Sequence, residues 1–132
     1  MSKEAEESAD SIDRSVLANL RELQNDGEPD IVAEVGGLFL KHAPQKIAAI
    51  KNAIKAGDAK ALQVSAHNLK SSSLYVGATK LSAISKELEF MGRSGQLEGA
   101  HEKAILAQIE FERTKKELEI EIGRPEQGNK DK

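Results

Sequence analysis

The sequence predicts an all-α protein that folds as an antiparallel helical bundle. Apolar residues recur at the three- and four-residue spacing of amphipathic helices along most of the chain. Alternating strand patterns joined by hairpin turns are absent. Short loops separate the helical segments, and short loops join antiparallel neighbours. The 132 residues suit one domain with a modest core.

The composition excludes several classes of protein. Hydrophobic residues make up 39% and charged residues 31%, as in ordinary globular domains. The lack of cysteine excludes disulfides and thiolate metal sites. A formal net charge of −3, with acidic and basic residues intermixed, argues against nucleic acid. No apolar run reaches the roughly 20 residues of a membrane helix, and no signal-peptide core is present. We therefore expect a cytoplasmic monomer that binds neither membranes nor nucleic acid.

Polar tails flank the predicted domain. Residues 1–10 and 123–132 are rich in charged and small residues and are predicted to be disordered. Residues 11–122 carry the helical spacing and form the predicted bundle. The initiating Met1 and the two polar tails favour a free-standing protein.

The first half of the bundle is predicted to contain three helices. Asp13 caps the first helix, and the Asn-Asp-Gly sequence at 25–27 ends it. Pro29 suits the first turn of the second helix, where its missing N–H costs nothing. Pro44 bends the chain or restarts a helix, and Gly57 is the predicted C-cap of the third. The apolar stripes of the three helices are Val16, Leu17, Leu20 and Leu23, then Ile31, Val35, Leu38 and Phe39, then Ile47, Ile50 and Ile54.

Three further helices are predicted in the second half. Asp58 caps the first of them and Gly77 ends it. The Gly-Arg-Ser-Gly sequence at 92–95 ends the next, and the last runs from about Leu97, with a polar gap at Thr114. The stripes are Leu62, Ala66, Leu69, Ser73 and Val76, then Ala78, Leu81, Ile84, Leu88 and Met91, then Leu97, Ala100, Ala104, Ala107, Phe111, Leu118 and Ile122.

The helix over 59–76 presents His67 to solvent. Ala66 is in the predicted buried seam, and one step along a helix turns the side chain by about 100°. His67 therefore points outward, together with the residues three, four and seven positions later. These are Lys70, Ser71 and Leu74.

This exposed face suits nucleophilic chemistry on phosphate. Imidazole is a nucleophile, and near neutral pH one ring nitrogen has a free lone pair. Phosphoryl transfer depends on positioning and on nearby positive charge, which Lys70 supplies. A small residue at Ser71 lets a partner approach closely. Leu74 and Tyr75 are either partner contacts or incidental surface.

The segment Ala-His-Asn-Leu-Lys-Ser-Ser-Ser-Leu-Tyr-Val-Gly-Ala at 66–78 resembles the signature of histidine-containing phosphotransfer (HPt) domains, approximately A-H-x-L-K-G-S-S-x-x-x-G-A. The resemblance extends over about residues 12 to 121. It implies a four-helix bundle with one or two additional helices. The matching positions are Ala66, His67, Leu69, Lys70, Ser72, Ser73, Gly77 and Ala78.

The resemblance also implies a function. His67 would accept a phosphoryl group from a sensor histidine kinase or a receiver aspartate and pass it to a response-regulator receiver domain. Lys70 would be its electrostatic helper. The Mg²⁺ of the reaction would belong to the partner receiver domain, so this chain would bind no cofactor or metal. No kinase ATP-binding domain is visible in the sequence.

The chain departs from the family pattern at Ser71, where the family usually has glycine. The added hydroxymethyl group lies on the expected docking face, which leaves open a module that binds receivers without phosphate transfer. A helical adaptor unrelated to phosphate is a second alternative. Gly77 is interpreted as a structural helix terminator, His42 as a structural residue at the Pro44 bend, and His101 as solvated.

Overall fold

The structure, a computed structural model, describes residues 10–123, and within this range it contains helices and no strand. The predicted all-α class is confirmed. Apart from Asp10 and Gly123, the predicted disordered tails lie outside the described residues. None of the described helices is both long and apolar enough to cross a membrane. The helices are α1 (Arg14–Glu22), α2 (Ile31–Ala56), α3 (Ala59–Tyr75), α4 (Thr79–Ser94) and α5 (Ala100–Gly123).

Helices α2 to α5 form the predicted four-helix bundle, and α1 is the additional helix. Helix α3 packs against α2 and, most extensively, against α4. Helix α5 closes the ring because it packs against both α2 and α4. Leu62 and Leu69 of α3, Leu88 of α4 and Leu118 of α5 are completely buried in the shared core.

Aspartate side chains begin three of the helices. The carboxylate of Asp13 accepts a hydrogen bond from the Ser15 amide at 3.0 Å, as the predicted N-cap of α1 should. Asp58 caps α3 in the same way. The prediction for Pro29 was wrong: Asp30 is the N-cap of α2, so Pro29 lies before the helix. The Asp30 carboxylate accepts a hydrogen bond from the Val32 amide at 3.0 Å, which starts the helix at the residue after Asp30.

The prediction that Pro44 separates two helices was also wrong. Helix α2 continues through Pro44 for 26 residues. Phe39, Ala43, Ile47 and Ile50 are buried on one side of it, so packing continues across the proline. Pro44 itself is exposed. Proline has no N–H to donate to the carbonyl group four residues before it. That carbonyl group is therefore on the solvent side, where water can donate a hydrogen bond to it.

Three positions differ from the predicted apolar stripes. Leu23 and Leu38 are exposed, because Leu23 follows the last turn of α1 and Leu38 points away from the core side of α2. Thr114, predicted as a polar gap in the last helix, is completely buried. Its hydroxyl group donates to the carbonyl oxygen of Glu110 at 2.8 Å, so the polar atom is satisfied inside the helix.

Two carboxylates of α5 hold the N-terminal segment in place. The Glu117 carboxylate accepts hydrogen bonds from the backbone amides of Ser11 and Ile12, at 2.9 and 3.0 Å. The buried Glu121 carboxylate accepts from the Arg14 guanidinium at 2.9 Å. These contacts bind the start of α1 to the last turns of α5.

Candidate functional site

Helix α3 carries the histidine motif on its outer side. The seam of Leu62, Ala66, Leu69 and Ser73 is completely buried. The His67 side chain is 55% exposed, as its place beside the seam predicts. Its imidazole is therefore accessible to a partner.

A buried carboxylate from α4 contacts both His67 and Lys70 of α3. Oε2 of Glu89 lies 3.0 Å from Nδ1 of His67. Oε1 of the same carboxylate forms an ion pair with Nζ of Lys70 at 2.8 Å. Arg93, one turn later on α4, adds a third contact at 3.2 Å to Oε2. Glu89 is only 5% exposed, so these three cationic or polar groups cover it.

The contact with Glu89 sets the tautomer of His67. An ionised carboxylate can only accept hydrogen bonds. Nδ1 of His67 therefore carries the ring hydrogen and donates it to Glu89. In the neutral ring this leaves the lone pair on Nε2, on a side chain that is more than half exposed. The site thus presents a nucleophilic nitrogen to solvent.

The surrounding charges keep Glu89 ionised. The Lys70 ammonium lowers the pKa of the Glu89 carboxyl group below its usual value. Burial acts in the opposite direction, and the hydrogen bond from His67 lowers the pKa further. Since the lowering contributions prevail, the carboxylate remains an acceptor for Nδ1 at neutral pH.

Sequence reasoning did not identify Glu89 or Arg93. Glu89 follows Leu88, a member of the predicted α4 stripe, and lies seven residues after Ser82, which is also buried. A charged residue at the edge of a buried stripe was the available signal. The sequence does not show that α4 lies against the histidine side of α3, and this placement gives Glu89 its role.

The region around His67 has no acidic residue along the sequence. Residues 59–86 contain four lysines and no aspartate or glutamate, in a chain whose net charge is −3. The carboxylate that contacts His67 belongs to Glu89, which follows this stretch in the sequence. Lys70 and Arg93 offset its charge. Positive charge therefore outweighs negative charge along this stretch of the sequence.

The other predicted contact residues lie near His67 on α3. Leu74 and Tyr75 are 54% and 71% exposed, and Ser71 is half-buried. Beside Tyr75, a groove of about 290 Å³ runs between α2 and α3. Its lining consists of Val35, Leu38, Phe39, His42, Lys46, Ser72, Tyr75 and Val76. Tyr75 therefore borders the groove and also exposes apolar area to solvent.

Gly77 and the remaining histidines have separate positions. Gly77 has a positive φ of 77°, and its carbonyl oxygen accepts a hydrogen bond from the Asp13 amide at 2.7 Å. It therefore joins the end of α3 to the start of α1.

His42 is exposed within the continuous α2 and lines the groove, so the expected structural role at a bend was wrong. His101 is exposed near the start of α5, as predicted.

Comparison with known proteins identifies the family. The sequence profile of the Hpt domain matches residues 34–120. Histidine-containing phosphotransfer protein 4 of Arabidopsis thaliana is 35% identical over 82 residues, which are 61% of this chain and 65% of that protein. The crystal structure of histidine-containing phosphotransfer protein B (HptB) from Pseudomonas aeruginosa PAO1 matches with a TM-score of 0.77 and 30% identity, over 86% of this chain and 96% of that chain. Because the family profile covers more than half of the sequence, the chain belongs to the Hpt domain family.

Proposed function

We propose that this Hpt domain carries phosphoryl groups in a phosphorelay, with His67 as the acceptor. The observation that supports this assignment is the contact between Nδ1 of His67 and the buried Glu89 carboxylate. It directs the free lone pair to Nε2, on the accessible side of the ring. A module that only docked a receiver would not need a histidine oriented in this way.

The transfer step follows from this orientation. The Nε2 lone pair attacks the phosphorus atom of an aspartyl phosphate on a receiver domain. The N–P bond forms as the bond between phosphorus and the aspartyl oxygen breaks, and the carboxylate leaves with the electron pair. The imidazole becomes positively charged while Nδ1 keeps its hydrogen. The Glu89 carboxylate offsets this charge at 3.0 Å, and the reverse step regenerates the neutral ring.

Lys70 supplies positive charge to the phosphoryl oxygens. Its side chain is one helical turn from His67, and its ammonium is held beside the site by Glu89. Phosphoryl transfer needs positioning and charge stabilisation more than covalent chemistry from the protein. The receiver domain supplies the phosphorylated aspartate and its Mg²⁺, and this chain binds no cofactor of its own.

Partner docking is proposed on the surface formed by Ser71, Leu74 and Tyr75 and the adjoining groove. Leu74 and Tyr75 expose apolar area about two helical turns after the histidine. The partner is a response-regulator receiver domain or a sensor histidine kinase, the classes with which Hpt domains interact. A receiver approaches His67 across Ser71, so the size of that side chain controls the approach.

The proposed function is tested with phosphorylated receiver domains. The chain is mixed with each receiver, and protein-bound phosphate that is labile in acid and stable in alkali is measured. We expect rapid transfer from at least one receiver. Lys70→Ala should slow this transfer, whereas Lys60→Ala, an exposed lysine on the same helix, should not. No phosphate uptake from any receiver or kinase of the source organism would overturn the proposal.

A further inference from the structure

Gly92 lies where the backbone of α4 approaches the backbone of α3 closely. A Cβ atom at this position would be 2.5 Å from the amide nitrogen of Gln63 and 2.7 Å from the carbonyl oxygen of Ala59. Those two atoms belong to the backbone at the start of α3. They are four residues apart, which is the separation of the two partners in a helical hydrogen bond. Carbon atoms in ordinary contact are about 3.5–4.0 Å apart. No side chain fits here at the present spacing of the helices.

The other glycines inside the described helices do not have this environment. A Cβ at Gly36 would meet only side-chain atoms, with Ile122 Cδ1 at 2.9 Å and Leu118 Cδ1 at 3.3 Å, and these side chains can move. A Cβ at Gly37 would have no neighbour within 4 Å. A glycine within a helix costs about 1 kcal/mol relative to alanine. At Gly92 this cost is offset by a helix–helix approach that no other residue permits.

The close approach is next to the histidine site on both helices. Gly92 lies three residues after Glu89, and Gln63 lies four residues before His67. These separations correspond to about 4.5 and 6 Å along the helix axes. A change in the spacing of α3 and α4 at Gly92 therefore acts about one helical turn from the point where the Glu89 carboxylate meets His67.

We propose that Gly92 is a positioning residue for phosphoryl transfer. Its lack of a side chain lets α4 lie against α3, and this brings the Glu89 carboxylate to 3.0 Å from His67 and 2.8 Å from Lys70. A side chain at position 92 moves α4 outward and lengthens both contacts. The imidazole then loses its fixed tautomer, and the carboxylate loses the ammonium that keeps its pKa low. The inference rests on the proposed function of His67.

The test compares Gly92→Ala with Gly37→Ala, the same change at an open position of a helix. Nitrogen-15 NMR reports the hydrogen on Nδ1 or Nε2 of His67, and carbon-13 NMR reports the titration of the Glu89 carboxylate. We expect Gly92→Ala to mix the two tautomers and to raise the pKa of Glu89. Phosphotransfer should slow by about one to two orders of magnitude, since a misplacement of about 1 Å can cost a hundredfold. Gly37→Ala should leave all three measurements unchanged.

A second variant covers the case in which Gly92→Ala does not fold. Glu89→Asp shortens the carboxylate by one methylene group and leaves the helix spacing intact. It should reproduce the tautomer mixing and the slower transfer. The proposal is overturned if a folded Gly92→Ala variant keeps the parent's tautomer and transfer rate. It is also overturned if the Glu89→Asp variant keeps both. The NMR measurements use unphosphorylated protein, so they separate this inference from a failure of His67 to accept phosphate.

Discussion

Nδ1 of His67 lies 3.0 Å from Oε2 of Glu89, a carboxylate on the neighbouring helix that is 5% exposed. Lys70 reaches the other oxygen of the same carboxylate at 2.8 Å. One buried acid thus orients the imidazole and keeps the ammonium next to it. The proposed phosphotransfer site is therefore an arrangement of two helices, of which only α3 carries the sequence motif.

Replacing Glu89 should impair transfer while the bundle remains folded. Glu89→Gln removes the charge that offsets the phosphorylated imidazole, and its amide can present either oxygen or nitrogen to Nδ1. We expect transfer to slow by roughly tenfold or more. Stopped-flow measurement with a cognate receiver checks this. Glu87→Gln, at an exposed position of the same helix, is the control and should transfer at the parent's rate. Equal rates in the two variants would contradict the role given to Glu89.

The charge on Glu89 also predicts a dependence of stability on pH. The pKa of its carboxyl group is lowered in the folded state, mainly by Lys70. Its contribution to stability is therefore fully present above the usual pKa of 4.5 and is lost as the pH falls through the lowered folded value. The free energy of unfolding of the parent minus that of Glu89→Gln should be larger at about pH 7 than at about pH 3. Urea unfolding at both pH values tests this, and a difference that does not change with pH would argue against it.

Gly77 should be more sensitive to substitution than other glycines with positive φ. A Cβ at Gly77 would be 2.6 Å from the carbonyl oxygen of Asp13, whereas at Gly57 it would meet nothing within 4 Å. Both residues have a left-handed backbone, which costs a side chain about 1–2 kcal/mol. Gly57→Ala should lose about that amount. Gly77→Ala should lose more, because α1 must shift as well. Denaturant unfolding of the two variants measures the difference, and equal losses would show that α1 does not depend on this contact.

Ser71 should control the approach of the receiver by its size. Its hydroxyl group has no hydrogen-bond partner among the described residues, and its side chain is half-buried beside His67. Ser71→Gly should transfer at least as fast as the parent, at a cost to the helix of roughly 0.5 kcal/mol. Ser71→Gln should transfer much more slowly with an unchanged melting temperature. Stopped-flow rates for these variants and Ser71→Ala test the steric role. A Gln variant as fast as the parent would show that the receiver docks elsewhere.

The sequence predicted the fold and the motif-bearing helix well because both depend on local patterns. The seam from Leu62 to Val76 already placed His67 on the outside of α3. The prediction for Pro44 failed because packing overrides a local preference there. Helix α2 continues through Pro44 because the core contacts of Ala43 and Ile47 extend across it. The same contacts leave the proline on the exposed side.

The second half of the site could not be predicted in the same way. Glu89 is separated from His67 by 22 residues, and its role depends on the rotation and spacing of α4 against α3. Gly92 sets that spacing through contact with the backbone around Gln63, which no pattern in the sequence reveals. Periodicity identifies the buried side of a helix but not which neighbour covers it.

The most direct measurement is the location of the phosphoryl group after transfer from a phosphorylated receiver domain. The parent, His67→Gln, His42→Gln and His101→Gln are treated alike, and the acid-labile phosphate on each is quantified. Because His67 is exposed and off the buried seam, His67→Gln should keep a nearly unchanged melting temperature. We expect this variant to take up no phosphate, while the other two variants match the parent. Phosphate that persists on His67→Gln, or that is lost in His42→Gln or His101→Gln, would contradict the assignment of His67 as the acceptor.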